Sequence, residues 1–234
     1  MRTLISTFIL GLVLTASASA APSLPPCVAS VIHIQEDTFE AGIRATYPAV
    51  MDARINRTVR TWVQNSLHEF KATIAGSRDN PGHWKYMLDI GPSLSGIKGK
   101  LLGIRFQTMY FTGGAHPNHF VTTFNFDLET GEDVRLDGLF TDVPAALEII
   151  AEDTRAQILP NLGDHVDETW FRDGTEPTRE NYQFFTCAPE GLTFYFPPYH
   201  LAAYVFGQQQ ATVGWEKLAP LLAPKAARWF PAHQ

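Results

Sequence analysis

The sequence has few charged residues and few cysteines, and it lacks the repeats of fibrous proteins. Charged side chains make up 18% of the 234 residues and aromatic side chains 12%, whereas a disordered chain carries far more charge and far fewer aromatics. Neither a glycine triplet period nor a dominant heptad pattern is present, which excludes collagen and coiled-coil folds. We therefore expect a globular protein that buries a sizeable core.

The charge balance is acidic, with a formal net charge of −6. Phosphate backbones and anionic membrane surfaces both attract basic faces. The sequence therefore predicts neither a nucleic-acid partner nor binding to an anionic membrane. A basic partner would instead be attracted.

Three well-known catalytic patterns are also missing. The chain has no Gly-Xaa-Ser-Xaa-Gly elbow, no phosphate-binding glycine loop and no His-Glu-Xaa-Xaa-His helix, which disfavours serine hydrolases, nucleotide-dependent enzymes and zinc proteases. His116 and His119 could supply two metal ligands, but a metal site needs a third ligand at a defined spacing, and none follows. The sequence predicts no catalytic residue, no metal and no cofactor.

The first 20 residues have the order of a secretory signal peptide. Arg2 precedes an apolar stretch, Leu4–Leu14, and the small residues Ala16–Ala20 form a cleavage site. A membrane anchor is the weaker alternative, because Ser6 and Thr15 interrupt a run that is already too short to span a bilayer. We expect an exported protein, periplasmic or extracellular, whose mature chain has no membrane span.

The two cysteines are Cys27 and Cys187. In an oxidising compartment a disulfide between them would close a very long loop and stabilise the fold by about 4 to 5 kcal/mol. Lipidation of Cys27 is the alternative, although the residues before it, Leu24-Pro25-Pro26, do not suit it. The sequence favours the disulfide and leaves both alternatives open.

Hydrophobic periodicity predicts two long helices and several strands. Apolar residues at steps of three and four predict a helix over Asp52–Ile74, and a second helix begins after the capping residue Asp142 and ends at Pro160. A short helix over Trp215–Leu222 follows, and Asn161–Arg179 is predicted to be a loop. Alternating patterns predict strands over Val28–Gln35, Phe39–Tyr47, His83–Ile90, Leu101–Phe111, His119–Leu128, Val134–Leu136, Tyr182–Cys187, Leu192–Phe196 and Leu201–Phe206.

Strands grouped with one helix in each half indicate an α+β fold. We expect antiparallel sheets, each covered by a helix, in two small lobes that meet near residue 100. The predicted division gives a signal peptide over residues 1–20, an N-terminal α+β module over 21–100 and a C-terminal α+β domain over 101–234.

Two aromatic segments next to glycine or proline are the candidate binding loops. The first runs from Tyr110 through Gly113 and Gly114 to His116 and Pro117. The second ends a strand with Pro197, Pro198 and Tyr199. Exposed aromatics on rigid loops bind partners at a low cost in conformational entropy. The alternative is that these aromatics pack a corner of the core.

These segments resemble the extracytoplasmic domain family that is shared by RsiV anti-sigma factors, which sense lysozyme, and PdaC peptidoglycan deacetylases. The resemblance rests on Tyr110–Pro117, Phe124–Gly131, Leu136–Phe140, Gly191–Phe196, Pro198-Tyr199, Ala203-Tyr204 and Trp215. Upstream, Tyr47-Pro48 and Ile55-Asn56 are similar to the companion N-terminal module of those proteins. Residues 21–100 thus resemble the N-terminal module of PdaC, and 101–234 resemble the RsiV-like domain.

The resemblance implies binding, because the parts that carry the other known activities of the family are absent from this sequence. It has neither the sigma-binding segment and spanning helix of RsiV nor the deacetylase domain of PdaC. Lysozyme recognition by RsiV-like proteins implies contact through Pro198 and Tyr199. The expected binding residues are Tyr110, Gly113, Gly114, His116, Pro117, Pro198 and Tyr199.

The leading hypothesis is an exported, non-catalytic binding or sensing protein of the cell envelope, with a lysozyme-like enzyme or cell-wall glycan as its partner. The alternative is a peptidoglycan-modifying envelope enzyme that uses His116 and nearby acids. Candidate acid pairs are Asp127 with Glu129 and Glu132 with Asp133, although acids at a turn are usually only solvated.

Overall fold

The computed structural model describes residues 27–76, 84–97, 99–163 and 166–230. Its helices and strands form a five-stranded sheet and a three-stranded sheet, each with a helix packed against it. The predicted α+β fold is therefore confirmed. The predicted signal peptide, residues 1–20, lies outside the described residues. Within them, no helix has the length and apolar character that crossing a membrane requires.

The five-stranded sheet is formed in chain order by β1 to β5. These strands are Val28–Asp37, Ala41–Val50, Tyr86–Ser95, Leu101–Phe111 and Asn118–Asp127. Helix α1, Ala53–Gly76, connects β2 to β3. These two strands are parallel, whereas every other neighbouring pair in the sheet is antiparallel. The parallel pair departs from the expected antiparallel sheet because α1 carries the chain back to the end of the sheet at which β2 begins, so β3 runs in the same direction as β2.

Helix α1 covers one face of this sheet with the apolar stripe that the periodicity predicted. The buried members of the stripe are Ile55, Val59, Val63, Leu67 and Phe70. The Asp52 carboxylate caps the helix by accepting hydrogen bonds from the N–H groups of Arg54 and Ile55. We call β1 to β5 with α1 the first lobe.

The second lobe, residues 134–230, contains the three-stranded sheet and four short or medium helices. Its strands are β6, Phe185–Cys187, β7, Gly191–Phe196, and β8, Gln209–Gly214, and both pairings are antiparallel. Its helices are α2, Val143–Leu162, α3, Glu168–Gly174, α4, Trp215–Leu218, and α5, Pro224–Ala227. Helix α2 packs against β8.

The start of α2 agrees with its sequence signals, and its end does not. The Asp142 side chain accepts a hydrogen bond from the N–H of Ala145, and Pro144 lies in the first turn. The helix continues past Pro160 to Leu162, so the predicted end at Pro160 was wrong. Leu162 is buried, and its packing extends the helix by two residues.

A buried amide joins the two lobes. Asn125 of β5 donates from Nδ2 to the carbonyl of Phe185 (2.9 Å) and accepts at Oδ1 from the N–H of Cys187 (2.8 Å). Gly103 of β4 lies beside it, where an added Cβ would come 3.1 Å from Thr186. The predicted division at residue 100 falls between β3 and β4 of one sheet, so residues 101–127 pack with the first lobe.

Several irregular segments of the second lobe differ from the expected elements. No strand forms over the predicted Val134–Leu136: an isolated bridge lies just before it at Asp133, and a 3-10 turn begins at Leu136. The predicted loop over Asn161–Arg179 contains α3. The predicted strand over Leu201–Phe206 is not formed: this segment ends in a 3-10 turn, and the next strand, β8, starts at Gln209.

Candidate binding site

The loop after β4 makes a tight bend against a tryptophan. Gly113 and Gly114 have φ values of 99° and 107°, which side-chain-bearing residues rarely adopt. The indole of Trp84 lies against Gly113, where an added Cβ would come 3.0 Å from its Nε1. The two glycines therefore set the path of the chain into His116 and Pro117.

The second candidate loop holds Tyr199 in a strained backbone conformation. Its φ is 71°, and among the described residues it is the one non-glycine residue with a positive φ. The indole Nε1 of Trp170 in α3 donates a hydrogen bond to the Tyr199 carbonyl (3.0 Å), and the Tyr199 side chain remains 49% exposed. Strain of this kind costs about 1 to 3 kcal/mol and concentrates at functional sites.

Three rings meet where the two loops and the 3-10 turn at Tyr204 come together, although His116 lies 83 positions before Tyr199 in the sequence. The rings of His116 and Tyr204 stack with centroids 3.9 Å apart and planes at 19°. The Tyr199 hydroxyl lies 3.3 Å from His116 Nε2, and its ring centroid lies 5.5 Å from that of Tyr204. We call His116, Tyr199 and Tyr204 the aromatic cluster.

One carbonyl fixes the position of the cluster and the tautomer of its histidine. The Pro117 carbonyl accepts from the Tyr204 hydroxyl (2.9 Å) and lies 2.9 Å from His116 Nδ1. Because a carbonyl can only accept, Nδ1 carries the proton. In the neutral ring Nε2 then accepts from the Tyr199 hydroxyl, which leaves the lone pairs of that hydroxyl for a ligand that donates.

The predicted binding residues do not all meet at this cluster. His116, Pro117 and Tyr199 do, Gly113 and Gly114 shape the first loop, and Pro198 comes directly before Tyr199. Tyr110 instead lies on the α1 side of the sheet, where its ring contacts Phe70 at 5.2 Å and Phe120 at 6.3 Å between centroids.

Sequence reasoning missed Tyr204, Trp170 and Trp84 as parts of the site. Tyr204 was among the residues that carry the family resemblance, but the alternating pattern around it predicted a strand. Trp170 lies in α3, whose start is capped by Asp167. An Asp followed by Glu168 was a usable helix signal in the segment that was predicted to be a loop.

The acids of the alternative enzyme hypothesis lie far from His116. They follow the end of β5 at Asp127, whereas His116 precedes its start. Burial acts to raise the pKa of Asp127, but hydrogen bonds from the Glu129 N–H and the Arg228 guanidinium hold that pKa below its usual value. Because β5 has 10 residues, its ends lie about 30 Å apart, and these groups cannot act on the same bond. Among the described residues, no three His, Cys, Asp or Glu side chains form a group that could hold a metal ion.

The structure contains no disulfide between Cys27 and Cys187, and both thiols are free. Cys27 packs against the core of the first lobe and Cys187 lies inside that of the second. Burial raises the pKa of the Cys187 thiol to about 12. The predicted bridge is therefore corrected, because the two sulfurs belong to different cores.

Comparison with known proteins finds a family model that matches much of the second lobe. Residues 137–216 match the model of the family described as protein of unknown function DUF3298. The matched segment makes up about a third of the chain. This DUF3298 segment contains Trp170, Tyr199 and Tyr204, whereas His116 precedes it. The family match therefore covers two of the three rings in the aromatic cluster.

A curated relative confirms the predicted resemblance to PdaC. The chain is 19% identical over 167 residues to the peptidoglycan-N-acetylmuramic acid deacetylase PdaC of Bacillus subtilis strain 168. The match covers 71% of this chain but only 36% of that protein, so the chain spans about a third of the relative.

Two solved structures of DUF3298 proteins share the fold. One, from Bacteroides fragilis NCTC 9343, has a TM-score of 0.60 at 18% identity and covers 87% of this chain and 98% of its own. The other, from Pseudomonas aeruginosa PAO1, has a TM-score of 0.66 at 15% identity, with coverages of 87% and 97%. Both lobes therefore belong to a fold that these DUF3298 proteins have in common.

Proposed function

We propose that this DUF3298 protein is an exported, non-catalytic binding protein of the cell envelope whose aromatic cluster recognises cell-wall glycan. The observation that carries the proposal is the cluster itself, in which an exposed Tyr199 meets the stacked rings of His116 and Tyr204. The signal-peptide pattern of residues 1–20 supports export.

The chemistry of the cluster suits a sugar ring. Aromatic faces pack against the apolar faces of flat ligands, and the hydroxyl at the ring edge forms hydrogen bonds. The Tyr199 hydroxyl offers lone pairs, which match the hydroxyl and amide donors of N-acetylated sugars. Both loops are held by contacts to Trp84 and Trp170, so binding orders few side chains.

The relation to PdaC supports peptidoglycan as the class of glycan. The name of that protein states that it deacetylates N-acetylmuramic acid of peptidoglycan. Because the match covers only 36% of PdaC, its catalytic activity is not part of this proposal.

A lysozyme-like enzyme is the second candidate partner. Two observations favour it: the net charge of −6 would attract a basic protein, and Pro198 and Tyr199 lie on the exposed loop that the RsiV resemblance implies. By contrast, the separation of His116 from the acids after β5 leaves the alternative enzyme hypothesis without geometric support.

Binding to purified sacculi and to N-acetylglucosamine tetramers tests the proposal. We expect the wild-type chain to sediment with sacculi and the Tyr199→Ala variant to bind about tenfold more weakly, as is typical when a central aromatic is truncated. The control is Met51→Ala. Met51 is 78% exposed and follows the end of β2 that lies away from the aromatic cluster. Equal binding by wild type and Tyr199→Ala would overturn the glycan proposal.

A parallel titration with hen lysozyme separates the two partners. Binding of lysozyme but not of sacculi, with loss in Tyr199→Ala, would replace the first candidate by the second. Digestion products in the sacculus samples that disappear in His116→Ala would contradict a non-catalytic role.

A further inference from the structure

Strand β5 lies at the edge of the five-stranded sheet, and its hydrogen bonds show which residues face outward. The N–H of Leu128, just after the strand, donates to Lys100 on the β4 side (2.9 Å). On the other side, the carbonyl of Asn125 accepts from Val134 (2.6 Å) and the N–H of Asp127 donates to Glu132 (2.9 Å). The main-chain groups of successive residues point to opposite sides of an antiparallel strand. The N–H and C=O groups of the odd-numbered residues of β5 therefore point toward the free edge.

Among the residues that the structure describes, those at the two ends of this edge cover it, and those between do not. Residues 132–134 form an antiparallel bridge to the end of β5 and then leave the sheet in a 3-10 turn. At the start, the Pro117 carbonyl accepts from the Tyr204 hydroxyl. Between them, the main-chain N–H and C=O groups of His119, Val121 and Thr123 have no hydrogen-bond partner within the part of the chain that the structure describes.

The free edge of β5 lacks the features that protect edge strands from pairing. Residues 118–124 contain no charged side chain and no proline. At the opposite edge of the sheet, β1 has a register shift between Val28 and Ser30 and ends in Glu36 and Asp37. Bulges and charges of this kind block strand addition, and β5 has neither in this segment.

The surroundings of the edge leave space for an extended chain. A cleft of about 520 Å³ lies beside it, with Thr122 and Thr123 on the strand side and Arg135, Gln183 and Phe184 on the other. The neighbouring Phe120 is 51% exposed. An added strand would therefore bury apolar surface as well as pair main-chain groups.

We propose that the free edge of β5, from His119 to Thr123, binds an extended segment of a partner polypeptide as an additional strand. Only another polypeptide backbone supplies N–H and C=O groups that alternate at the spacing of this edge. Residues 132–134 already pair with the end of the same edge. The partner segment would pair with the next residues of β5, beside that bridge. Phe120, Val121 and Phe124 favour apolar, β-branched side chains in that segment, which spans about five residues.

A random decapeptide display library is the probe, selected on the full chain and counter-selected on the Val121→Pro variant. Proline removes the outward N–H of Val121 without removing a bond to β4. The matched control, Val121→Ala, keeps that N–H. We expect enriched peptides to bind Val121→Pro about tenfold more weakly than Val121→Ala, which corresponds to one lost hydrogen bond.

Two measurements on the wild-type chain keep the test independent of how well the proline variant folds. A bound peptide should slow amide exchange at residues 119, 121 and 123, and a copy of the peptide N-methylated at alternate residues should not bind. Slow exchange at these amides before any peptide is added would overturn the proposal. So would undiminished binding of the N-methylated copy, or a library without enriched peptides.

The outcome is separable from that of the glycan proposal. Tyr199→Ala should leave peptide binding unchanged, because Tyr199 contributes no main-chain group to the edge. A different outcome is a dimer of the free chain in which the amides of residues 119, 121 and 123 exchange more slowly as the protein concentration rises. In that case a second copy of the chain occupies the edge, and the proposal of a separate partner is wrong.

Discussion

The first lobe is built from long strands and one long helix, whereas the second is built from short strands, short helices and turns. In the first lobe, a 24-residue helix covers strands of 10 or 11 residues. In the second, β6 has 3 residues and α3 has 7. The first lobe ends in the free edge of β5, and the second lobe places Tyr199 and Tyr204 near the start of that strand. The aromatic cluster therefore draws on both lobes, since His116 follows β4 of the first lobe and the two tyrosines belong to the second.

The largest expected effect comes from breaking the regular core. Phe70 is fully buried in α1 and contacts Tyr110, so Phe70→Ala should lower the free energy of unfolding by about 3 to 5 kcal/mol. Urea unfolding followed by circular dichroism measures it. Lys71→Ala is the control, because exposed Lys71 only pairs with Glu36 and its loss should cost less than about 1 kcal/mol. Two separate transitions, with one unaffected, would show that the lobes unfold independently.

The next effect tests the connection between the lobes. Asn125→Ala would leave the buried carbonyl of Phe185 and the N–H of Cys187 without their partner, at a cost of about 2 to 5 kcal/mol in unfolding free energy. Asn181 also donates to two carbonyls, but within the second lobe and at the surface. Equal losses in Asn125→Ala and Asn181→Ala would contradict the importance of the contact between lobes.

A smaller effect distinguishes the two glycines of the loop after β4. Both have positive φ, so alanine at either should cost about 1 to 3 kcal/mol. Only at Gly113 does an added Cβ also meet Trp84, whereas at Gly114 nothing lies within 4 Å. Thermal unfolding should therefore show a greater loss for Gly113→Ala than for Gly114→Ala, together with a change in tryptophan fluorescence. Identical melting temperatures would show that Trp84 does not hold the loop.

The elements that were predicted well are those whose side chains repeat with a clear period. The bounds of β4 agree with the prediction, and the start of α2 after the capping residue Asp142 does too. Strand β8 was missed although Ala211 and Val213 alternate with polar residues, because the apolar residues before it gave the stronger pattern. Periodicity identifies surfaces that pack, and it fails where short elements owe their conformation to tertiary contacts.

The candidate site could be predicted only in part, because its rings meet through the fold. His116 and Tyr199 are 83 positions apart, and no local pattern indicates that they touch. The glycines and prolines marked both loops correctly as turns. The positive φ of Tyr199 could not be predicted, since it depends on the bond from Trp170 in a helix that the sequence analysis did not identify.

The smallest expected effect concerns the support of the Tyr199 loop by the neighbouring His200. Burial lowers the pKa of His200, and the hydrogen bond to the Gly174 carbonyl acts against that shift. The unfolded chain therefore binds the proton at a higher pH than the folded chain does. As the pH falls below about 6.5, the unfolded state gains protons first and stability decreases; above that pH this contribution is constant.

His200→Gln should therefore flatten the pH dependence of the unfolding free energy between about pH 5 and 7. An amide still donates to the Gly174 carbonyl but does not titrate in that range, so stability at pH 7 should change little. The control for the substitution itself is His68→Gln, since His68 lies exposed on α1. A steeper slope in His200→Gln would mean that the folded state stabilises the protonated ring. In that case the Gly174 hydrogen bond would dominate over burial, and the contact between α3 and the Tyr199 loop would strengthen in acid.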